Sequence, residues 1–96
     1  MRHQGATVHE LARIAELAVL PGETLTRLAE RMERQELAPG ERVDASARFG
    51  VVLAGMLSGP RGMLRPGDTF EEQVTAATPA TVASCPRTDY EELVGR

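Results

Sequence analysis

The sequence predicts an α+β fold that is mainly β: two short helices, a run of short strands rolled into one small β-structure, and a closing helix. Three observations predict it. Apolar residues recur at helical spacing only before Gln35 and after Pro86. Between those points the chain alternates short apolar runs with Pro-Gly and Gly-rich turns. One of these runs, Val51-Val52-Leu53-Ala54-Gly55-Met56-Leu57, is apolar throughout, as a strand covered on both faces would be.

The first helix starts near Thr7. Thr7 and Glu10 have capping-box spacing, and Leu11, Ile14, Ala15 and Ala18 follow at i, i+3, i+4 and i+7. Pro21-Gly22 interrupts this pattern. A second helix places Leu25, Leu28, Ala29 and Met32 on one stripe, with Arg27, Glu30, Arg31 and Arg34 left for solvent.

From Gln35 onward the elements are strands and turns. Ala38-Pro39-Gly40-Glu41 suits a type II turn, since Pro fixes φ at its second position and Gly accepts positive φ at its third. Arg65-Pro66-Gly67-Asp68 repeats the device, and each turn follows a leucine, so two similar corners are expected. Ser58-Gly59-Pro60-Arg61-Gly62 reverses the chain as a hairpin tip into Met63-Leu64-Arg65. Thr81 to Cys85 supplies a later strand ending at Pro86. The last helix carries a second capping box, Thr88 and Glu91, with Tyr90, Leu93 and Val94 as its apolar side and Gly95 as its stop. The expected organisation is a flexible terminus over 1–6 and a single domain over 7–96. Within the domain, 7–34 is a helical lead-in, 35–86 the β-roll with the helices against its end, and 87–95 the C-terminal helix.

Composition narrows the function. A chain of 96 residues, 42% of them hydrophobic, supports one modest core, and with Phe49, Phe70 and Tyr90 its only aromatic residues that core is aliphatic. The net charge of −3 and the absence of any basic block exclude phosphate-backbone binding as the main activity, so nucleic acid is not an expected partner. All 11 basic residues are Arg, which excludes lysine-based covalent chemistry and has the bias of a GC-rich genome. Cys85 is alone and cannot form an internal disulfide. Met1 to Ala6 is polar rather than a signal core, and no run approaches the ~18 apolar residues of a membrane span. The expected setting is the cytoplasm.

No catalytic or metal-binding constellation emerges. His3 and His9 are six apart and precede the β-region, whereas metal ligands on one helix face stand three or four apart. Ser46, Ser58, Ser84 and Cys85 have no histidine in the β-region to activate them, and Cys85 reads as a buried small hydrophobe with Arg87 its one nearby cation. Glu71-Glu72 and Glu91-Glu92 are adjacent residues, so neither pair converges as an acid–base dyad. The Gly-rich hairpin lacks the Gly-Lys-Ser/Thr ending of a phosphate loop. No enzyme activity, cofactor or metal is expected.

Five segments in order resemble the cyclic-nucleotide-binding domains. Leu20 to Ala29 resembles their entry helices, Leu37-Ala38-Pro39-Gly40-Glu41 their first corner, and Val51 to Leu57 their central V-L-x-G strand. Leu64-Arg65-Pro66-Gly67-Asp68-Thr69-Phe70 is similar to the L-x-P-G-D-x-F segment before the ligand cassette, and Ala80-Thr81-Val82 with Pro86 to Val94 is similar to the A-T-V strand and following helix. The resemblance covers residues 11 to 95 and implies a small jelly-roll, a cupin-like double-stranded barrel with two N-terminal helices and one C-terminal helix.

The departure from the family lies in the cassette. There, F-G-E opens a short helix whose Glu holds the ribose, and an Arg about ten residues later holds the cyclic phosphate together with free helix amides. Here Phe70 and Glu72 occupy the first and third positions and are the vestigial ligand-binding candidates, but Glu71 replaces the glycine. No Arg lies between Arg65 and Arg87, and eight residues separate Phe70 from Pro79, too few for the helix and its loop. Each charge-assisted hydrogen bond contributes about 1.5–3 kcal/mol. At about 1.4 kcal/mol per decade, losing a bidentate Arg and several amides weakens phosphate binding by two decades or more.

The sequence therefore predicts a non-catalytic regulatory or protein-interaction module that has lost cyclic nucleotide as a ligand. The resemblance implies a protein partner or a parent chain, with the cytosolic appendage of a membrane transporter as the favoured context. It also implies a homodimer as one mode of assembly, because family members often dimerise near the terminal helix. The alternative is a small-ligand sensor that retains a reduced pocket for a cyclic nucleotide or other metabolite, using Glu72 and the strand wall from Val51 to Leu57.

Overall fold

The computed structural model describes residues 8–14 and 16–94. In chain order it contains α1 (Val8–Ala12), α2 (Gly22–Arg31), β1 (Glu33–Leu37), β2 (Arg42–Val43), β3 (Arg48–Ala54), β4 (Leu57–Gly59), β5 (Gly62–Leu64), β6 (Thr69–Phe70), β7 (Val74–Ala76), β8 (Ala80–Pro86) and α3 (Arg87–Val94). The flexible terminus expected over 1–6 and the capping residue Thr7 lie outside the described residues, as do Ala15 and Gly95.

The strands pair as one long hairpin rolled on itself: β1 with β8, β2 with β7, β3 with β6 and β4 with β5, all antiparallel. Adding the β3–β8 and β4–β7 pairs gives two four-stranded sheets, ordered β1-β8-β3-β6 and β2-β7-β4-β5. Every strand connection except the β4–β5 hairpin passes from one sheet to the other. This is the expected jelly-roll.

The Pro39-Gly40 and Pro66-Gly67 corners turn the chain between sheets, and they do so identically. Gly40 (φ 90°) and Gly67 (φ 101°) take the positive φ that a type II turn requires. The N–H of Glu41 donates to the Ala38 carbonyl and that of Asp68 to the Arg65 carbonyl, at 3.0 and 2.9 Å. Each acidic side chain then accepts from the backbone N–H of the turn's first residue, Ala38 to Glu41 at 2.7 Å and Arg65 to Asp68 at 2.8 Å. The first corner is bonded to Ala76 and the second to Val52, in the same two-bond pattern.

β3 and β8 are buried on both faces and separate two cores. Phe49 and Val51 from β3, with Ala83 and Cys85 from β8, meet Leu11, Ile14, Leu17, Leu25, Leu28, Ala29 and Met32 from the helical lead-in. Val52, Ala80 and Val82 point the other way, into the roll, against Leu37, Val43, Leu57, Phe70 and Val74. The helices thus cover a face of one sheet, not the end of the roll as the sequence suggested. α3 is held there by Tyr90 stacked on Phe49 at 3.8 Å between ring centroids, and by Asp89 paired with Arg31 of α2 at 3.2 Å.

The lead-in corrects a second expectation. α1 stops at Ala12, and the chain continues in turns with i→i+3 bonds from Ile14 to Leu11, Leu17 to Ile14 and Leu20 to Leu17. Its buried residues are Leu11, Ile14 and Leu17, a period of three that a tight 3₁₀-like winding places on one side, while Ala18 is exposed. Glu10 accepts both guanidinium nitrogens of Arg34, at 3.0 and 2.8 Å, and so ties the lead-in to β1. The second predicted cap also differs: α3 begins at Arg87, which puts Thr88 inside its first turn.

Gly55 (φ 81°) carries the crossing from β3 to β4, where an added Cβ would lie 2.2 Å from the Pro79 carbonyl oxygen. Gly55→Ala is expected to destabilise the fold by at least about 2 kcal/mol in urea denaturation, from left-handed strain and a backbone clash combined. Burial, helped by the Asp89 carboxylate and opposed by Arg48 and Arg31, pushes the Cys85 thiol from 9.0 up to about 11. The folded state therefore disfavours the thiolate, and this contribution to stability is lost as pH rises from 9.0 to about 11. The expected result is a fall in unfolding free energy across that window that is absent in Cys85→Ala.

Candidate functional site

The site is built where β6 hands the chain to β7. Gly50 pairs with Phe70 across β3 and β6, and a Cβ at Gly50 would lie 2.3 Å from the Phe70 ring. The bare glycine is therefore what lets the ring lie flat into the roll, where Phe70 is 6% exposed. After Phe70 only Glu71, Glu72 and Gln73 precede β7, and they contain no helical turn. The stretch between Phe70 and Pro79, too short for a cassette helix, contains a strand, Val74–Ala76, which leaves a connection of three residues.

A groove of about 450 Å³ opens beside this connection. Phe70, Val74 and Leu64 form its apolar wall, and the hairpin tip from Gly59 to Gly62 forms one side. Both candidates from the sequence reach it: Phe70 as buried wall and Glu72 as a half-exposed carboxylate. Sequence reasoning missed Glu16, Arg61, Thr69 and Arg87, which also line the groove. Arg61 read as a hairpin tip and Arg87 as a helix start, and no local pattern brings either to Phe70. The stretch between Arg65 and Arg87 does lack an arginine, but the groove has two, supplied from either side of it.

Neither guanidinium faces the groove alone. Arg87 Nη2 lies 3.3 Å from Glu71 Oε1 and donates to the Glu71 carbonyl at 3.4 Å. Arg61 Nε stands 3.9 Å from Glu72 Oε1, a longer pair with the Arg61 side chain 86% exposed, so solvent weakens it. The Thr69 hydroxyl donates to the Glu16 carboxylate. Among the described residues, two guanidiniums thus line the groove with three carboxylates. Arg87 Nε is buried without a hydrogen-bond partner among the described residues.

The remaining candidates do not converge. Ser84 is 7% exposed, and its hydroxyl accepts from Arg48 Nε at 3.1 Å, bracing β8 against β3. Cys85 is buried, with Arg48 and Arg31 as its nearby cations instead of the expected Arg87. His9 is exposed on α1, and His3 lies outside the described residues. Among the described residues, no group of three or more His, Cys, Asp or Glu could hold a metal ion, and no helix is long and apolar enough to cross a membrane.

No family model and no curated protein matches the sequence. Solved structures do match. The regulatory subunit of a cAMP-independent protein kinase A from Trypanosoma cruzi, bound to guanosine, superposes with a TM-score of 0.78 at 19% identity over 92% of this chain and 40% of its own. A triple mutant of the corresponding Trypanosoma brucei subunit, bound to cAMP in its A site, gives 0.79 at 19% identity over 92% of this chain and 42% of its own. A cyclic nucleotide-binding-like protein from Brucella abortus gives 0.66 at 15% identity, covering 93% of this chain and 97% of its own. The chain spans about two fifths of the kinase regulatory chains it matches. It has the fold of the cyclic-nucleotide-binding domains.

Proposed function

We propose that this chain is a non-catalytic regulatory or protein-interaction module, a cyclic-nucleotide-binding-type roll whose groove no longer takes a cyclic phosphate. One observation carries the proposal: three residues without a helical turn join β6 to β7, and two of them are glutamates paired with the groove's arginines. A cyclic phosphate needs backbone amides at a helix start and a free guanidinium. This groove offers it carboxylates instead. The module then works through a parent chain or a protein partner, and the cytosolic tail of a membrane transporter is the context favoured by the family resemblance. Self-association through α3 is a further mode of assembly.

A second reading has its own support. Guanosine, which carries no phosphate, is the ligand of the Trypanosoma cruzi neighbour. In the Trypanosoma brucei neighbour, the form bound to cAMP is a mutant in which a Glu and a Val became Ala and a Thr became Arg. The groove of about 450 Å³ lies in the range of small-molecule sites, and Glu72 can accept from sugar hydroxyls. On this reading the chain is a sensor for an uncharged nucleoside-like ligand.

Calorimetry with cyclic AMP, cyclic GMP, guanosine and adenosine separates the readings. The interaction module binds none of them, while the sensor binds a nucleoside more tightly than its cyclic phosphate. Micromolar affinity for either cyclic nucleotide, with no tighter binding of its nucleoside, would overturn both. Sedimentation over a range of concentrations tests self-association, and a mass that stays monomeric throughout would contradict it.

A further inference from the structure

Arg87 approaches the groove from a fixed base. It is the first residue of α3, directly after β8, and its backbone N–H donates to the Ala47 carbonyl at 2.9 Å. A guanidinium presents a planar fork of donors that matches two oxygens of one carboxylate or phosphate. Only part of that fork is engaged: Nη2 meets Glu71 Oε1 at 3.3 Å and the Glu71 carbonyl at 3.4 Å, while Nε is buried and unpartnered among the described residues. A buried donor without an acceptor is destabilising, and an oxyanion that bridged Nε and Nη2 would relieve it. The groove beside it has room for such a group, and Arg61 stands on the hairpin side.

We infer that Glu71 is a specificity-determining residue: its tethered carboxylate occupies Arg87 in place of an anionic ligand and closes the groove to phosphate-bearing molecules. The inference rests on the reading that the groove rejects cyclic phosphates, and names the group that makes it do so. Two effects act together. Being covalently attached, the Glu71 carboxylate competes at a high effective concentration, which a free anion must exceed. Its charge also makes the groove net negative, with three carboxylates against two guanidiniums. Without that charge, the Arg87 fork with its unpartnered Nε becomes an oxyanion site.

The test is an NMR titration of wild type, Glu71→Gln and Glu71→Gln/Arg87→Gln with inorganic phosphate and with cyclic AMP, following the arginine Nε–H signals. Glu71 is exposed, so the glutamine variant keeps the fold. Glu71→Gln is expected to bind phosphate at least about tenfold more tightly than wild type. The Arg87 Nε–H signal should move with saturation, and the gain should vanish in the double variant. Equal affinity in wild type and Glu71→Gln, or a gain that survives loss of Arg87, would overturn the inference. If the double variant does not fold, a stationary Arg87 Nε–H signal in Glu71→Gln overturns it. Micromolar binding of cyclic AMP by wild type would instead overturn the proposed function. A silent wild type with no gain in Glu71→Gln refutes this inference alone.

Discussion

The antiparallel pairing of β3 with β8 is the constraint on which the rest of the structure depends. These strands form the interior of one sheet, and their alternation sends Phe49, Val51, Ala83 and Cys85 to the helices and Val52, Ala80 and Val82 into the roll. A slip of one residue would exchange the two sets, so the two cores hold the register from opposite sides. The same register sets the groove. It delivers Arg87 from the end of β8 to the groove wall, and the pairing of β3's other edge with β6 places Gly50 beneath the Phe70 ring. The site is thus a consequence of sheet packing, with little of its geometry determined by the residues around Phe70 alone.

Much of the scaffold was legible because its signals are local. The two Pro-Gly corners follow from φ restrictions on single residues, and the stripe of Leu25, Leu28 and Ala29 follows from helical spacing, with Met32 buried in extended backbone just past the helix. The apolar run from Val51 has the composition of a strand with no wet face. What stayed hidden has physical reasons too. Leu17 joins Leu11 and Ile14 under a period of three, which the helical template, with Ala18 in its place, overlooks. Val74–Ala76 is too short to show alternation, so its strand depends on partners in β2 and β4. Arg61 and Arg87 lie 26 residues apart in the sequence, and strand pairing across the roll is what brings them to one groove.

Within the groove, charge and connection length act in the same direction. A three-residue link cannot supply the amides of a helix start, and two of the side chains it carries, Glu71 and Glu72, are acceptors directed at the available donors. The Arg87–Glu71 contact is the stronger of the two pairs, because it is shorter, less exposed and supported by a bond to the Glu71 carbonyl. The Arg61–Glu72 contact is long and solvated and restrains the hairpin tip weakly. The donors that line the groove are turned inward on the chain itself.

The most direct measurement of this account is amide hydrogen exchange with and without saturating cyclic AMP. Slow exchange is expected in β3 and β8, with fast exchange at Glu71, Glu72 and Gln73 and no change at those three amides when the nucleotide is added. Protection at Glu71 to Gln73 on addition of cyclic AMP would contradict it, because it would mean that the short connection still donates to a bound phosphate.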